Sequence, residues 1–315
     1  GLKMLRKMLP FCLILPIFLT ITRQENIKYY LWAFFIAIGI SELLSYLVWF
    51  ELINPIGNAT VSNPTPVMGH ISYNPFLAFA IYLVLYQLIF EKELTTLTRI
   101  ILTFFALSMT FNMFITAGRA GQAMFFASLI VLAFQYFRES QVKALIISIV
   151  LVSSIAIGGY NTSPIFKNRI QQIKYDLALF TTNPNTSVGH RIIFTKNSFE
   201  IIKNNLLIGV GTGDFPIEYN KVNLINSPNV KTTTQPHNMY LYILVQFGII
   251  GLLSFFWIFY SQFRIAMDSQ NPFIRRVGVA LPFLFLVIML SDSYLLGHFT
   301  GNLFILFSAF LYNNR

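Results

Sequence analysis

Cysteine is all but missing from this 315-residue chain, and charge is scarce. The single cysteine, Cys12, lies inside an apolar run, so no intrachain disulfide can form and no cysteine-based zinc or redox pattern exists. Asp, Glu, Lys and Arg make up 11% of the residues, against roughly 25% in soluble domains. That deficit excludes an ordinary soluble chain. Acidic residues number only 12, and no Asp-x-Asp pair of the kind that holds a metal against a nucleotide diphosphate occurs. The nearest strings are Glu91-Lys92-Glu93, read as cytoplasmic and solvated, and Ser291-Asp292-Ser293, which offers a single carboxylate. Gly-x-Ser-x-Gly and His-x-x-x-His are also absent, so hydrolase and metalloenzyme readings lose support. No internal repeat and no low-complexity tract is visible.

What is abundant is apolar: 55% hydrophobic and 16% aromatic residues, with a mean hydropathy of +0.63. The solvent for much of this protein is lipid. The 22 basic residues leave a formal charge of +10, but they are spaced between long apolar runs. A membrane surface or an anionic lipid substrate therefore suits the charge better than nucleic acid. Apolar runs long enough to cross ~30 Å of hydrocarbon fall near 9–22, 30–52, 75–90, 99–117, 120–137, 144–160, 238–261, 277–296 and 299–312. Because the first run starts close to Gly1, a fragment or a trimmed chain is expected, and no small-residue cleavage site marks a signal sequence.

Orientation follows the bias of basic residues in short connections. Arg23, Lys28, Lys92, Arg99, Arg138, Lys143, Arg264, Arg275, Arg276 and Arg315 fall on one side, expected to be cytoplasmic. The opposite short connections, 54–74, 118–119 and 297–298, hold only Arg119. Lys3, Arg6 and Lys7 fit poorly, since they land outside, before the first span, in what reads as half of a loop. The expected organisation is about six membrane helices in 1–160, an outer loop at 161–236, and about three further helices in 237–315.

The outer loop holds most of the polar chemistry. Ile170, Ile173, Leu177 and Phe180 recur at helical spacing opposite Gln171, Gln172, Lys174 and Asp176, which predicts an amphipathic helix at the membrane surface. A second helix is predicted from about 190 to 207, ending at the turn Gly209-Val210-Gly211-Thr212-Gly213. That turn lacks the Gly-Lys-Ser/Thr ending of a phosphate loop and reads as a tight connector. The stretch 216–236, with Pro216, Pro228 and Pro236, reads as irregular loop.

Four side chains stand out. Arg119, in Ala117-Gly118-Arg119-Ala120-Gly121, sits between two apolar runs, where an arginine faces a polar cavity or an anion, or snorkels to backbone carbonyls at a helix end. The flanking glycines permit close approach and favour the anion. Arg191 opens the second loop helix and by itself reads as a surface charge, its meaning coming from the residues around it. His237 lies between Pro236 and Asn238 at the start of a span, where an imidazole can accept a proton or merely cap the helix. His70, in the connection 54–74, is placed to line a cavity; His190 adjoins Arg191 and His298 lies at the last hairpin. Glu42 lies at membrane depth and reads as a packing or cavity residue.

The order of parts resembles the O-antigen ligase and polymerase superfamily of bacterial envelope glycosyltransferases. A short outer turn with Arg119 comes first, then a long outer loop with Arg191, then Gly209-Val210-Gly211-Thr212-Gly213-Asp214-Phe215. Pro236-His237-Asn238-Met239-Tyr240-Leu241 follows and leads into Gln246-Phe247-Gly248-Ile249-Ile250-Gly251. The resemblance covers roughly 100–262. It implies an all-α, polytopic membrane helix bundle with a large periplasmic loop, similar to the glycosyltransferase C class. It also implies a glycan on undecaprenyl diphosphate as donor, a sugar hydroxyl as acceptor, and reaction at the periplasmic side of the inner membrane. By the same carry-over Arg119 and Arg191 bind the diphosphate and His237 is the essential histidine. Two guanidinium forks suit a diphosphate, and a base suits a hydroxyl nucleophile. A metal-independent, inverting transfer with no cofactor is the expectation, with His70 on the acceptor side.

A ligase transfers to lipid A–core lipopolysaccharide and a polymerase to another lipid-linked repeat unit. The loop 63–75 resembles a loop of some ligases, and that resemblance implies the ligase. A protein-glycosylating member usually carries more C-terminal sequence. A transporter or flippase for a lipid-linked glycan is the rival from another class, but paired halves with interrupted helices are not evident.

Overall fold

The computed structural model describes residues 1–313; Arg315, counted above as a basic anchor, lies outside the described residues. Twelve α-helices follow in order: α1 (Leu2–Ile21), α2 (Ile27–Trp49), α3 (His70–Phe90), α4 (Thr96–Ile115), α5 (Arg119–Tyr136), α6 (Gln141–Thr162), α7 (Pro164–Ala178), α8 (Ser187–Asn204), α9 (Phe215–Asn226), α10 (Met239–Asp268), α11 (Pro272–Ile288) and α12 (His298–Leu311). Among the described residues there is no strand, only an isolated bridge between Thr60 and Asn63. The protein is an all-α polytopic membrane bundle, as its composition requires.

Each expected span contains a helix, although 277–296 is α-helical only to Ile288, and the helices are not equal. Six helical stretches are long and apolar enough to cross a membrane: α1, 24–49, α3, α4, α6 and α10. The other three fall short for visible reasons. α5 carries Arg119, Gln122 and Gln135 within 18 residues, α11 has 17 residues including Arg275 and Arg276, and α12 has 14, about 21 Å of helix.

Two sequence expectations need correction. Lys3, Arg6 and Lys7 do not lie in a loop, because α1 begins at Leu2 and carries all three. Leu, Lys, Met and Arg are good helix formers, so nothing in that first stretch stops the helix from propagating. Nor is 216–236 irregular throughout. Pro216 sits in the first turn of α9, where its missing N–H costs nothing, while Phe215 and Tyr219 are buried one turn apart.

The chain forms two compact units, Thr22–Arg169 with Asn313, and Gly1–Ile21 with Ile170–Tyr312. In the first, α3 is the central element, apolar on all sides and packed by α2, α4 and α5, with α6 against α5. Tyr73, Leu77, Phe79, Tyr82 and Tyr86 are fully buried along it. Several polar groups inside this unit are bonded to one another, as a low-dielectric interior favours. Ser108 Oγ donates to Glu42 at 2.7 Å, Asn112 Nδ2 donates to Ser45 at 3.0 Å, and Thr116 Oγ1 donates to Asn74 at 3.0 Å. Glu42 is thus a buried residue satisfied by a neighbour.

In the second unit α10 packs on α11 and α8, α8 on α9, and α12 on α1 and α11. Phe194, Ile201, Phe215, Tyr219, Tyr242 and Val245 build one core from α8, α9 and α10. α10 is interrupted at Gly248, whose φ of +61° and ψ of −163° are not helical. Interruption frees carbonyls on one side and N–H groups on the other, and in an apolar setting each must find a partner. The chain just after α8 supplies them. Val245 O accepts from Val210 N at 2.9 Å, Gln246 O from Gly211 N at 3.0 Å, and Leu206 O accepts from Ile249 N at 2.8 Å. Gln246 Oε1 accepts from Gly213 N at 2.6 Å. Gly209, at φ +70°, faces the Gln246–Phe247 peptide so closely that a Cβ there would overlap it. The glycine-rich turn is a connector whose backbone closes the break in α10.

Candidate functional site

His237 immediately precedes α10, and three backbone or amide bonds fix it there. Asn238 caps the helix by accepting from Leu241 N at 3.1 Å, while its Nδ2 donates to Leu290 O at 3.1 Å. Met239 N donates to Met289 O at 2.9 Å. The start of α10 is therefore stitched to the residues after α11. His237 itself adopts φ +52°, a left-handed conformation that costs an L-residue about 1–2 kcal/mol and persists only where surroundings enforce it.

The strained backbone delivers the imidazole to a carboxylate. Nδ1 of His237 lies 3.1 Å from Oδ2 of Asp292, in the connection between α11 and α12. The other Asp292 oxygen accepts from Ser293 N at 2.7 Å. The histidine side chain is 33% exposed and the aspartate 17%, so the pair lies at a boundary and not in the core. Burial pushes the Asp292 carboxyl up, but the hydrogen bond and charge of His237, the Ser293 N–H and the Arg191 guanidinium together outweigh it and hold the acid below its usual range. An ionised Asp292 accepts from Nδ1–H and leaves Nε2 of His237 as the basic nitrogen. Next to it Tyr294 is pushed up to about 12, by burial first and then by the Asp292 charge, so its hydroxyl stays neutral.

α8 forms the opposite wall. Thr186 caps it by accepting from Gly189 N at 3.1 Å, and Asp176 Oδ2 accepts from Val188 N at 3.1 Å. One turn further, Phe194 stacks on His237 at 5.9 Å and on His190 at 5.7 Å. Arg191, exposed on the same helix, acts electrostatically on both Asp292 and Tyr294. The unit thus brings together the sequence-predicted His237 and Arg191, and adds Asp292.

The other unit holds His70 and Arg119. His70 opens α3, and its Nδ1 lies 3.0 Å from Asn63 Nδ2, while Asn63 Oδ1 accepts from Ala117 N at 3.0 Å. Arg119 opens α5, and its guanidinium acts on the His70 ring together with that of Arg169 on α7. The flanking glycines have a different use from the one the sequence suggested. A Cβ on Gly118 would overlap the Asn74 side chain, and one on Gly121 would overlap Asn74 and the Pro75 nitrogen. They let α5 pack closely on the start of α3 and carry no argument for an anion.

Residues 103–256 match the family model described as O-antigen ligase. Over that stretch, just under half of its length, the chain is similar to the O-antigen ligase and polymerase superfamily. No curated protein matches it. Members of this family are glycosyltransferase-like enzymes, so a ligase- or polymerase-type transfer is the activity class of this multi-pass membrane protein.

The matched stretch runs from α4 into α10 and takes in Arg119, Arg169, Arg191, the glycine-rich turn, His237 and Gly248. His70 and Asp292 lie outside it. Sequence reasoning passed over Asp292, Arg169, Phe194 and Tyr294. One signal was available for Asp292: the polar string Ser291-Asp292-Ser293 interrupts the apolar run read as 277–296. Among the described residues no group of three or more His, Cys, Asp or Glu side chains is gathered in one place.

Proposed function

We propose that the protein is an O-antigen ligase. It transfers a glycan from undecaprenyl diphosphate to a sugar hydroxyl of lipid A–core at the periplasmic face of the bacterial inner membrane, inverting the anomeric centre and using no metal or other cofactor. In this reading residues 161–236 are the periplasmic loop, and the ends of α10 and α12 that carry His237 and His298 face the same side. The observation that supports it best is the His237–Asp292 pair with Arg191 beside it.

A sugar hydroxyl is a poor nucleophile at neutral pH. Nε2 of His237 takes its proton as the oxygen attacks the anomeric carbon, and the bond to the diphosphate breaks with its electron pair leaving on the lipid diphosphate. Asp292 holds the imidazole in the required tautomer and stabilises the imidazolium that forms. Arg191 binds the diphosphate and offsets the charge that grows on it. Arg119 keeps the diphosphate-binding role that the family resemblance assigns, and His70 the acceptor side. The transport reading draws no support from the break in α10, because the segment after α8 bonds to the α10 backbone on both sides of it.

The deciding experiment presents the purified protein in detergent with lipid-linked glycan and rough lipopolysaccharide. A capped lipopolysaccharide, formed without added metal or nucleotide, is the expected product. Growth of glycan on the donor lipid alone would make the protein a polymerase, and no glycan product of either kind would sink the transfer reading.

A further inference from the structure

The proposed transfer leaves unused the basic residues at the start of α1, and the structure gives them a setting. α1 packs on α12, and Phe11 meets Phe304 at 6.5 Å between ring centroids. Where the two helices begin, Arg6, Lys7, Phe11, Leu296, His298 and Asn302 line a groove of about 310 Å³. Among the described residues no Asp or Glu lines it. Three basic side chains thus converge without a counter-charge. Gly297, at the N-cap of α12, has no side chain to offer the first N–H groups of that helix, which add a partial positive charge at the same place. Oδ1 of Asn302 is buried and, among the described residues, has no hydrogen-bond partner.

The groove also has a direction. Arg6, Pro10, Leu13 and Ile17 recur at helical spacing along one face of α1, and Leu13 and Ile17 are both 56% exposed. A cationic head therefore continues into an open apolar track. Free phosphate would use only the head, and an apolar peptide only the track.

We propose that this groove binds an anionic glycerophospholipid, separate from the transfer site. Its phosphate lies among Arg6, Lys7 and His298, a headgroup hydroxyl donates to Asn302, and an acyl chain follows Leu13 and Ile17. Phosphatidylglycerol has all three parts; phosphatidylcholine lacks both the net charge and the hydroxyl.

The test is lipid retention by the full-length chain in detergent, read by native mass spectrometry with phosphatidylglycerol, phosphatidylcholine and inorganic phosphate as probes. The unaltered chain should retain phosphatidylglycerol in preference to phosphatidylcholine. Each basic side chain near an anionic surface contributes about fivefold, so R6Q/K7Q should weaken that preference about 25-fold. The charge-keeping R6K/K7R should leave it in place. Undiminished preference in R6Q/K7Q overturns the proposal. So does equal loss in R6K/K7R, which would trace the effect to helix packing, and so does displacement by millimolar inorganic phosphate, which would show that the apolar track contributes nothing.

Discussion

Asp292 Oδ2 stands 3.1 Å from Nδ1 of His237, although 55 residues separate them in the chain. In the proposed mechanism the contact makes this histidine an oriented base, since the nitrogen facing the carboxylate keeps its proton and the other is left to accept one. His237→Gln should lower the transfer rate by roughly 100- to 10,000-fold, the range for loss of a positioned general base. Asp292→Asn should fall between that variant and the parent, with a larger effect on kcat than on KM. Normal turnover in His237→Gln would remove the base role.

The same pair makes stability depend on pH in a defined direction. Asp292 is held below its ordinary range in the folded chain. Its contribution is therefore fully present above the unfolded carboxylate value of about 3.9, and is lost as the pH falls through the lower folded value. Asp292→Asn should unfold at a lower temperature than the parent near neutral pH, with the gap closing below about pH 4. Thermal unfolding in detergent across that range is the check; a constant gap would mean that the carboxylate charge is not what stabilises the contact.

Backbone strain at His237 can be separated from its chemistry. At φ +52° glycine fits without penalty while alanine does not, so His237→Gly should be more stable than His237→Ala by about 1 kcal/mol. Both should be inactive. Equal unfolding temperatures for the two would show that the left-handed conformation is not retained.

Closing the break in α10 depends on two glycines that face the same seam. A Cβ on Gly248 would overlap the Leu207 backbone, and one on Gly209 would overlap the Gln246–Phe247 peptide, each at positive φ. Strain and overpacking together predict a loss of about 2–5 kcal/mol for either alanine variant. The double variant should lose less than the sum, because the first overlap already opens the seam. Gly158, on α6 with open space around it, is the control and should tolerate alanine.

At the start of α5 the prediction concerns a rescue that fails. Gly121→Ala should cost about 1–3 kcal/mol through overlap with Asn74 and Pro75. Adding Asn74→Ala should not restore stability, since the backbone at Asn74 and Pro75 is part of the obstruction. Full rescue would place the strain in the Asn74 side chain alone.

The sequence by itself determined the class of protein and where most of its helices run, though not α9 or the first turns of α1. Apolarity over 20 residues, a shortage of charge and helix-start residues such as Asn238 are local properties, and a cap acts on the backbone within one turn. It also brought Arg119, Arg191 and His237 into view, because a charged or titratable group beside long apolar runs is conspicuous. Only the tertiary structure decided what those residues meet. The partner of His237 lies beyond α10 and α11, and the groups that close α10 come from the segment before α9. Gly118 and Gly121 were read as room for an anion and are contact points for α3. Each of these depends on where the chain returns in space, and residue spacing within one segment carries no record of that.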